Sequence, residues 1–232
     1  MQPFLVFGLT ASLGAMGELA GHERRGSLIW PARSAIIGLM GAALGIERDG
    51  DFSALDALTI DVAIFDAGAP LRDYHTIETV PSAAVKAPNS RPEALRDARG
   101  KTNTAITLRD YRTSVFYGIA VRGEGLERIA AALLEPHFTL YLGRKSCPLA
   151  APTGARVVEA VSSEAALEHL KAPLWRRPPV QAYTLVSDDP KGEVVCDDPE
   201  GEVVSDVPMD RSRWHFSSRR VALRPVSIVA GG

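Results

Sequence analysis

The sequence is poor in the residues that build metal, redox and disulfide sites. Its 232 residues include two cysteines, Cys147 and Cys196, and they contain neither a CxxC pair nor an HExxH segment. Protein metal sites usually rest on such closely spaced ligands, so we expect no metal and no other cofactor. A single disulfide between the two distant cysteines stays open, but a reduced, cytoplasmic protein fits this content better.

Long apolar runs are also missing. A membrane-spanning helix needs roughly 18 or more consecutive apolar residues, and no segment of the chain is that long. Residues 1–9 are apolar but lack both a basic start and a small-residue cleavage site. We interpret them as a strand rather than a signal peptide, and we expect no membrane partner.

The charges of the chain are nearly balanced, and their distribution is more informative than their sum. The formal net charge is −2. Residues 91–112 carry six basic and three acidic side chains, whereas residues 188–210 carry nine acidic side chains and one lysine. The acidic stretch therefore masks a basic middle, which favours contact with nucleic acid.

Hydrophobic periodicity predicts two strand–helix–strand units separated by a long insertion. This order is the split βαβ arrangement of the ferredoxin-like fold, whose four-stranded sheet also forms the RNA-recognition-motif platform. The predicted elements are strand 2–9, helix 31–45, strand 59–66, strand 114–122, helix 124–134 and strand 138–142.

The insertion between the second and third strands spans about residues 67–113 and has several proline and glycine breakers. Since those two strands are sequential and antiparallel in such folds, we expect it to project as an extended hairpin or loop. Long insertions of this kind tend to be functional. The predicted class is α+β, with a ferredoxin-like domain at 1–150 and a small β-rich domain at 151–232.

The predicted C-terminal domain contains an internal repeat. Its first elements are a strand at 156–161 and a short helix at 164–170, and the chain becomes β-rich beyond residue 179. Residues 188–195 and 197–204 share the pattern Asp-Asp-Pro-x-Gly-Glu-Val-Val. Asp-Pro-x-Gly favours turns and Glu-Val-Val favours short strands, so we interpret the repeat as two solvated hairpin tips.

The start of the first helix is one candidate phosphate site. Arg33 and Ser34 lie at its first turn, where free backbone N–H groups and the helix dipole favour anions. Arg24 and Arg25 add positive charge in the preceding loop. An Arg33 that points to solvent, or pairs with a nearby glutamate, fits the pattern equally well.

The segment Tyr-Leu-Gly-Arg-Lys-Ser-Cys-Pro at 141–148 is a second candidate. Gly143 permits close approach of the backbone to a ligand, and Ser146 supplies a hydroxyl. Arg144 and Lys145 supply two adjacent charges, a mixture that suits contacts along an RNA backbone. The alternative interpretation is an exposed basic turn.

The base of the insertion is a third candidate, because Arg-Asp-Tyr triplets at 72–74 and 109–111 flank the insertion and should face each other. Rings there can stack on unpaired bases, and arginines can reach phosphates. An Arg–Asp ladder with structural tyrosines is the alternative. We prefer it for the aspartates, and we favour function for Tyr111 and Arg112.

A catalytic interpretation uses the same region. A metal-free ribonuclease needs a general base and a general acid beside a phosphate, and His75 with Tyr74 and Lys101 could supply them. No spacing requires this, and no Ser-His-Asp order, nucleophile elbow or phosphate loop occurs. We expect no enzymatic activity. A metal-independent RNA-processing endoribonuclease and a protein-interaction module without RNA remain as alternatives.

Three segments together resemble the Cas-five family of CRISPR-associated proteins, in particular its CasD type. They are PARSAIIGLMGAALGIER at 31–48, RDYHT at 72–76 and YLGRKSCPL at 141–149. They occur in the family's order, and together they cover the N-terminal two-thirds of the chain.

The resemblance implies a non-catalytic RNA-binding subunit of a type I-E CRISPR surveillance complex, Cascade, in antiviral defence. Such a subunit holds the 5′ handle of the CRISPR RNA beside a CasC-type backbone subunit and a CasA-type large subunit. Its insertion forms a thumb, and it contributes to recognition of target DNA. The expected RNA-binding residues are Arg24, Arg25, Arg33, Ser34, His75, Lys101, Arg109, Tyr111, Arg112, Gly143, Arg144, Lys145 and Ser146.

Overall fold

The apolar start of the chain forms a central strand of a large sheet. A computed structural model describes residues 1–18, 24–86, 88–187, 202–211 and 215–231. In it the first strand runs from Gln2 to Gly14, longer than the predicted 2–9, and residues 4–11 are buried. Burial on both sides means that the sheet is covered on both faces.

The described part of the chain contains nine strands and five helices. In chain order they are β1 (Gln2–Gly14), β2 (Arg24–Arg25), α1 (Arg33–Leu44), α2 (Ser53–Asp56), β3 (Thr59–Asp66), β4 (Ala69–Thr79), α3 (Arg91–Asp97), β5 (Asn103–Arg122), α4 (Leu126–Leu134), β6 (Arg156–Ala160), α5 (Ser163–Leu167), β7 (Gln181–Ser187), β8 (Glu202–Asp210) and β9 (His215–Val229).

The strands form one sheet in the order β6-β1-β5-β3-β7-β9-β8, with antiparallel pairing between these neighbours. Helices α1 and α4 contribute to one core cluster against one face of the sheet. The predicted helices at 31–45 and 124–134 and the predicted strand at 59–66 are therefore confirmed as α1, α4 and β3.

The second face of the sheet is covered by α5 and the C-terminal segment. Phe4, Phe65 and Phe116 pack there against Leu167 and Leu170 in a separate core cluster. A sheet that is closed on both faces offers no flat platform for stacked bases. The exposed part of the sheet is the β4 ladder with the first half of β5, where β4 is largely exposed.

Strands from beyond residue 150 join this same sheet. β6 pairs with β1, and β7 pairs with β3. The predicted division at residue 150 therefore does not separate two sheets. The acidic repeat at 188–204 lies largely outside the described residues, which resume in β8.

The predicted strand at 138–142 is wrong. The structure has a single β-bridge there, from Tyr141 to Pro148. The backbone N–H groups of His137 and Phe138 instead donate to the carbonyls of Ala43 and Ala42 at the end of α1. The edge position beside β1 is taken by β6.

The insertion is an antiparallel hairpin of β4 and the first half of β5, with α3 near its tip. The predicted strand at 114–122 is the second half of the continuous, 20-residue β5. The chain bends where the hairpin leaves the sheet, because Gly68 and Ser114 have φ of 65° and 57°. A Cβ on Gly68 would lie 1.9 Å from the Thr113 carbonyl oxygen, so this bend requires glycine.

Two arginines hold the bend in place. Arg112 donates to the carbonyl oxygens of Ala67 and, at 2.8 Å, Gly68. Arg176 pairs with Asp66 at 2.5 Å and donates to the Ser114 carbonyl at 2.7 Å. These contacts fix the direction in which the hairpin projects.

The first turn of α1 is capped from the far edge of the sheet. Asp206 on β8 is 1% exposed, and its Oδ2 accepts from the Arg33 backbone N–H at 2.9 Å. The same carboxylate accepts two hydrogen bonds from Arg219 at 2.6 and 2.9 Å. A buried carboxylate thus satisfies the positive end of the helix. No helix in the described residues is long and apolar enough to cross a membrane.

Asp206→Ala should lower the free energy of unfolding by about 3 kcal/mol, because it uncaps α1 and removes the carboxylate that pairs with Arg219. Urea denaturation followed by circular dichroism measures this change. Ser205→Ala, at an exposed neighbour on the same strand, is the control and should change it by less than about 0.5 kcal/mol. Equal effects from the two variants would contradict the role assigned to Asp206.

Candidate nucleic-acid interface

The base of the hairpin gathers most of the predicted site. There β5 pairs with β4 on one side and with the two-residue strand β2 on the other. Residues directly opposite each other in a ladder project to the same face. The ladders therefore divide the basic side chains between two faces of the hairpin.

The first of these, the Asp110 face, carries Arg24, Arg72, Asp110 and Arg112. It opens on a cleft of about 350 Å³, whose lining residues are Arg24, Ser27, Pro70, Leu71, Arg72, Asp110, Tyr111 and Arg112. Three arginines against one aspartate leave this cleft positive. By its shape and charge alone, the cleft would suit a bound anion.

The arginines of the Asp110 face already have partners. Arg24 donates to Asp110 at 2.9 and 3.0 Å, and Arg72 donates to the same carboxylate at 2.7 and 3.1 Å. These hydrogen bonds, the one from Arg72 above all, lower the pKa of Asp110 to about 2. With Arg112 bound to the carbonyls at the bend, this face is a paired structural network.

The second, the Arg109 face, carries Arg25, Asp73, His75, Arg109 and Tyr111, and Asp73 lies directly opposite Arg109. Arg25 is exposed and lies opposite Arg109 in the parallel ladder. Two like charges in such positions repel each other, and Asp73 is the one carboxylate of the described residues at this level of the ladder, with three cationic or titratable neighbours in Arg25, His75 and Arg109. The Nε of Arg109 is buried and has no hydrogen-bond partner in the described part of the chain.

The basic turn at 143–146 borders the same face. The guanidinium of Arg144 stacks on the Tyr111 ring, 4.5 Å from its centroid. One terminal nitrogen of Arg144 is buried without a hydrogen-bond partner among the described residues, while Lys145 and Ser146 are exposed. The Arg109 face thus has unused donors, in contrast to the Asp110 face.

Gly143 has a structural task, and its predicted approach to a ligand stays a prediction. Its φ is 86°, and a Cβ there would lie 1.7 Å from the carbonyl oxygen of Ala15. The Ala15 N–H donates to Leu142, and the Leu142 N–H to Cys147. The glycine therefore lets the turn seat against the end of β1.

Tyr111 and Arg112 differ from their predicted roles. Tyr111 is 8% exposed and packs with Ala15 and Cys147, under Arg144. It supports Arg144 and cannot stack on a base without displacing that side chain. Arg112 holds the bend through the carbonyls of Ala67 and Gly68. The tyrosine that is exposed on the hairpin is Tyr74, at 65%.

Arg33 and Ser34 lie apart from the hairpin base and the basic turn. The Arg33 guanidinium donates to the carbonyls of Leu58 and Asp56 at 2.8 and 2.6 Å, and its backbone N–H binds Asp206. The predicted phosphate position at the start of α1 is therefore filled by a carboxylate of the chain itself. The anion at this helix start is the Asp206 carboxylate and not a bound phosphate.

Lys101 and His75 lie farther out along the hairpin. Lys101 precedes β5, whose stretch from Asn103 to Tyr111 is about 27 Å long at 3.4 Å per residue. His75 is exposed, and its Nδ1 lies 4.0 Å from the carboxylate of Asp73. Tyr74 and His75 are consecutive in a strand and point to opposite faces. The three groups of the catalytic alternative are therefore not brought together.

Metal ligands are not clustered in the part of the chain that the structure describes, where no three histidine, cysteine or acidic side chains could share an ion. Cys147 is buried and free. The predicted absence of a metal site concerns the whole chain and remains a prediction.

Comparison with known proteins identifies the family. A family model described as "CRISPR-associated protein (Cas_Cas5)" matches residues 4–222. The chain belongs to this family. It is 31% identical over 186 residues to "CRISPR system Cascade subunit CasD" of Escherichia coli (strain K12), a match that covers 72% of this chain and 76% of the relative.

Solved structures share the fold. The Cas_Cas5 protein superposes on a chain of a "CRISPR RNA-guided surveillance complex" with a TM-score of 0.72 and 24% identity, covering 98% of this chain and 91% of the other. A structure described as "Crystal structure of Cas protein" gives 0.69 and 25% identity, with 98% of each chain covered. The predicted resemblance to the Cas-five family is confirmed.

Sequence reasoning left Arg72 out of the expected RNA contacts and preferred an Arg–Asp ladder for the aspartates, which the Arg72–Asp110 pair of this Cas_Cas5 protein matches. It missed the division between a paired and an unpaired face, although the alternation of residues along two facing triplets was a usable signal. It also missed Arg176, which reaches Asp66 across 110 positions of sequence. No local pattern could have found that contact.

Asp110→Asn should reduce stability at neutral pH, because it removes the partner of two arginines. The pKa of Asp110 is lowered, so its contribution is complete above about pH 4 and is lost as the pH falls towards 2. Both arginines are largely exposed, and screening limits the effect to about 1 kcal/mol. Urea denaturation of wild type and variant from pH 7 to pH 2.5 should show a difference that narrows below pH 4.

The matched control is Asp73→Asn, at a half-buried carboxylate on β4 that has no arginine hydrogen bond in the described residues. At neutral pH this variant should lower the free energy of unfolding by less than Asp110→Asn does. An Asp110→Asn protein that is as stable as wild type at pH 7 would contradict the pairing described for the Asp110 face.

Proposed function

We propose that this Cas_Cas5 protein is a non-catalytic, RNA-binding subunit of a type I-E Cascade, where it holds the 5′ handle of the CRISPR RNA. The observation that carries the proposal is the Arg109 face. Two buried arginine donors without partners lie there beside exposed Arg25 and Lys145. Buried donors are rarely left unsatisfied in a finished assembly, and phosphate oxygens are the acceptors that suit arginine best.

The position of this face also supports a single-stranded ligand. The central strands of the sheet are covered on both sides, so a duplex or a row of stacked bases finds no broad flat surface there, and the exposed hairpin ladder is narrow. A narrow basic strip beside a turn can follow one phosphate backbone. The exposed hydroxyl of Ser146 and the backbone of the turn add neutral donors beside the charges.

The fold supports the same assignment. We infer that β1, α1, β3, β5, α4 and β6 form the ferredoxin-like domain, with β6 in the edge position first predicted for 138–142. Their order in the sheet, β6-β1-β5-β3, and the two helices on one face fit that topology. The hairpin of β4 and β5 then corresponds to the thumb that the family resemblance implies.

In this proposal the protein acts in the cytoplasm as part of an assembly. Its neighbours are the CasC-type backbone subunit, the CasA-type large subunit and, after target recognition, DNA. The relative from Escherichia coli carries the name of a Cascade subunit, which supports the assignment. The hairpin projects away from the sheet and is the element available to reach a neighbouring subunit or the guide.

A paired set of double variants tests the RNA contact. Arg109→Ala with Arg144→Ala should weaken binding of a 5′-handle RNA at least tenfold and reduce the slope of log affinity against log salt by about 1.4, since each phosphate contact on a single strand contributes about 0.7. Arg24→Ala with Arg72→Ala removes the same charge from the Asp110 face and should change affinity less than threefold. Fluorescence anisotropy at several salt concentrations measures both, after thermal melts confirm that each variant is folded.

Equal losses in both double variants would mean that RNA senses only the total charge of the hairpin base. In that case the assignment to the Arg109 face would be wrong. If the wild-type protein fails to bind handle RNA both alone and in the assembly, the proposed function itself is wrong.

The nuclease alternative has its own test. Purified protein incubated with labelled repeat RNA in EDTA should leave the RNA intact, since Tyr74, His75 and Lys101 do not converge. Gel electrophoresis of the products measures this. A discrete product that is lost in a His75→Ala variant would establish a metal-independent endoribonuclease and overturn the non-catalytic assignment.

A further inference from the structure

A turn at residues 173–176 displays two large apolar side chains to solvent. The Arg176 N–H donates to the Pro173 carbonyl at 2.9 Å, which closes the turn. Leu174 is fully exposed at its apex, and Trp175 is 58% exposed beside it. Single exposed apolar residues are ordinary, but an adjacent leucine and tryptophan on a closed turn form a compact apolar contact. We call this pair the Leu174–Trp175 knob.

The knob is held rigidly although it is exposed. Arg176 fixes one side of the turn through its ion pair with Asp66, its hydrogen bond to Ser114 and its stacking over Phe116, 5.5 Å from the ring centroid. On the other side, Lys171 forms a β-bridge with Gly231 and the Ala172 N–H donates to the Gly231 carbonyl. A contact surface that is already ordered loses less conformational entropy on binding.

The charges around the knob indicate the chemistry of its partner. Residues 171–180 contain three basic side chains and no acidic one. Arg176 is committed to Asp66, whereas Lys171 and Arg177 are exposed on either side of the apolar pair. A complementary surface therefore has an apolar pocket with acidic side chains at its rim.

The aliphatic side chain of Leu174 favours a protein partner over nucleic acid. RNA contacts use aromatic rings for stacking and cations for phosphates, and a protruding leucine serves neither purpose. Leucine and tryptophan together are suited to filling an apolar pocket, and tryptophan is prominent among the residues that contribute most binding energy in protein interfaces. The occupant that fits both side chains is another protein subunit.

We propose that the Leu174–Trp175 knob inserts into an acidic-rimmed apolar pocket of a neighbouring protein subunit of the assembly. This inference rests on the proposed function only in that it requires a multi-subunit complex. It assigns the knob to protein docking and the Arg109 face to RNA, so the two contacts are independent. Arg176 positions the knob beside the bend from which the hairpin projects, so the two independent contacts lie near each other.

The test is assembly of the complete complex from co-expressed subunits, with Leu174→Ser and Trp175→Ala combined in this chain. We expect the double variant to melt at the wild-type temperature and to bind handle RNA with wild-type affinity. We expect its affinity for the remaining assembly to fall about thirtyfold, measured by titrating the purified chain into a complex that lacks it. Leu134→Ser is the matched control, since this exposed leucine ends α4 on the other side of the sheet and should not affect assembly.

A charge variant tests the acidic rim separately. Lys171→Ala with Arg177→Ala should slow association with the incomplete complex and reduce the salt dependence of the association rate, with a smaller effect on dissociation. Stopped-flow mixing or biolayer interferometry at two salt concentrations measures these rates. An unchanged association rate would contradict the acidic rim and with it the stated partner chemistry.

Three results would overturn the proposal. The knob variant could assemble as tightly as wild type. It could lose affinity for isolated handle RNA, which would assign the knob to nucleic acid. It could abolish a self-association of the wild-type chain seen in sedimentation, which would make the partner a second copy. If the wild-type chain assembles through the knob but fails to bind handle RNA, the proposed function fails while this inference stands.

Discussion

The bend where the hairpin leaves the sheet is the constraint on which the rest of the site depends. β5 is one continuous strand that belongs to the core in its second half and to the hairpin in its first half. The left-handed conformations of Gly68 and Ser114 turn the chain there, and the guanidinium groups of Arg112 and Arg176 hold the carbonyls exposed by the turn. If the bend relaxed, Tyr111 and Arg109 would lose their registry with β2 and with the basic turn.

Arginine serves two different purposes within a few ångströms of this bend. Arg24, Arg72 and Arg112 have acceptors inside the protein, so they stabilise the hairpin base. Arg109 and Arg144 retain donors without protein partners in the described residues. A guanidinium with a carboxylate already in place must lose that partner before it binds a phosphate, whereas one without a partner does not. Among the arginines of the two hairpin faces and the basic turn, this difference separates the Asp110 face from the Arg109 face, while the anchor Arg176 also keeps a buried Nε without a partner in the described residues.

Coverage of the central strands on both faces limits where an interface can lie. The C-terminal strands extend the sheet, and α5 covers the face opposite α1 and α4. The protein therefore presents a strand end, a projecting hairpin and a basic turn to its partners. The Leu174–Trp175 knob is anchored by Arg176 to the same strand end, so the proposed protein contact and the proposed RNA contact would be held in a fixed relation by the Arg176 contacts to Asp66 and Ser114.

Sequence by itself determined the elements that depend on local periodicity: β3, α1 and α4 lie within a few residues of their predicted bounds. It also determined the family, since three short segments in order are a property of sequence. Only the tertiary structure decided which charges are used internally. Asp206 reaches Arg33 across 173 positions, and Arg176 reaches Asp66 across 110. Whether an arginine or a helix start is free for a ligand depends on such distant partners, because hydrogen bonding is decided by proximity in space, which local sequence patterns reveal only within a hairpin.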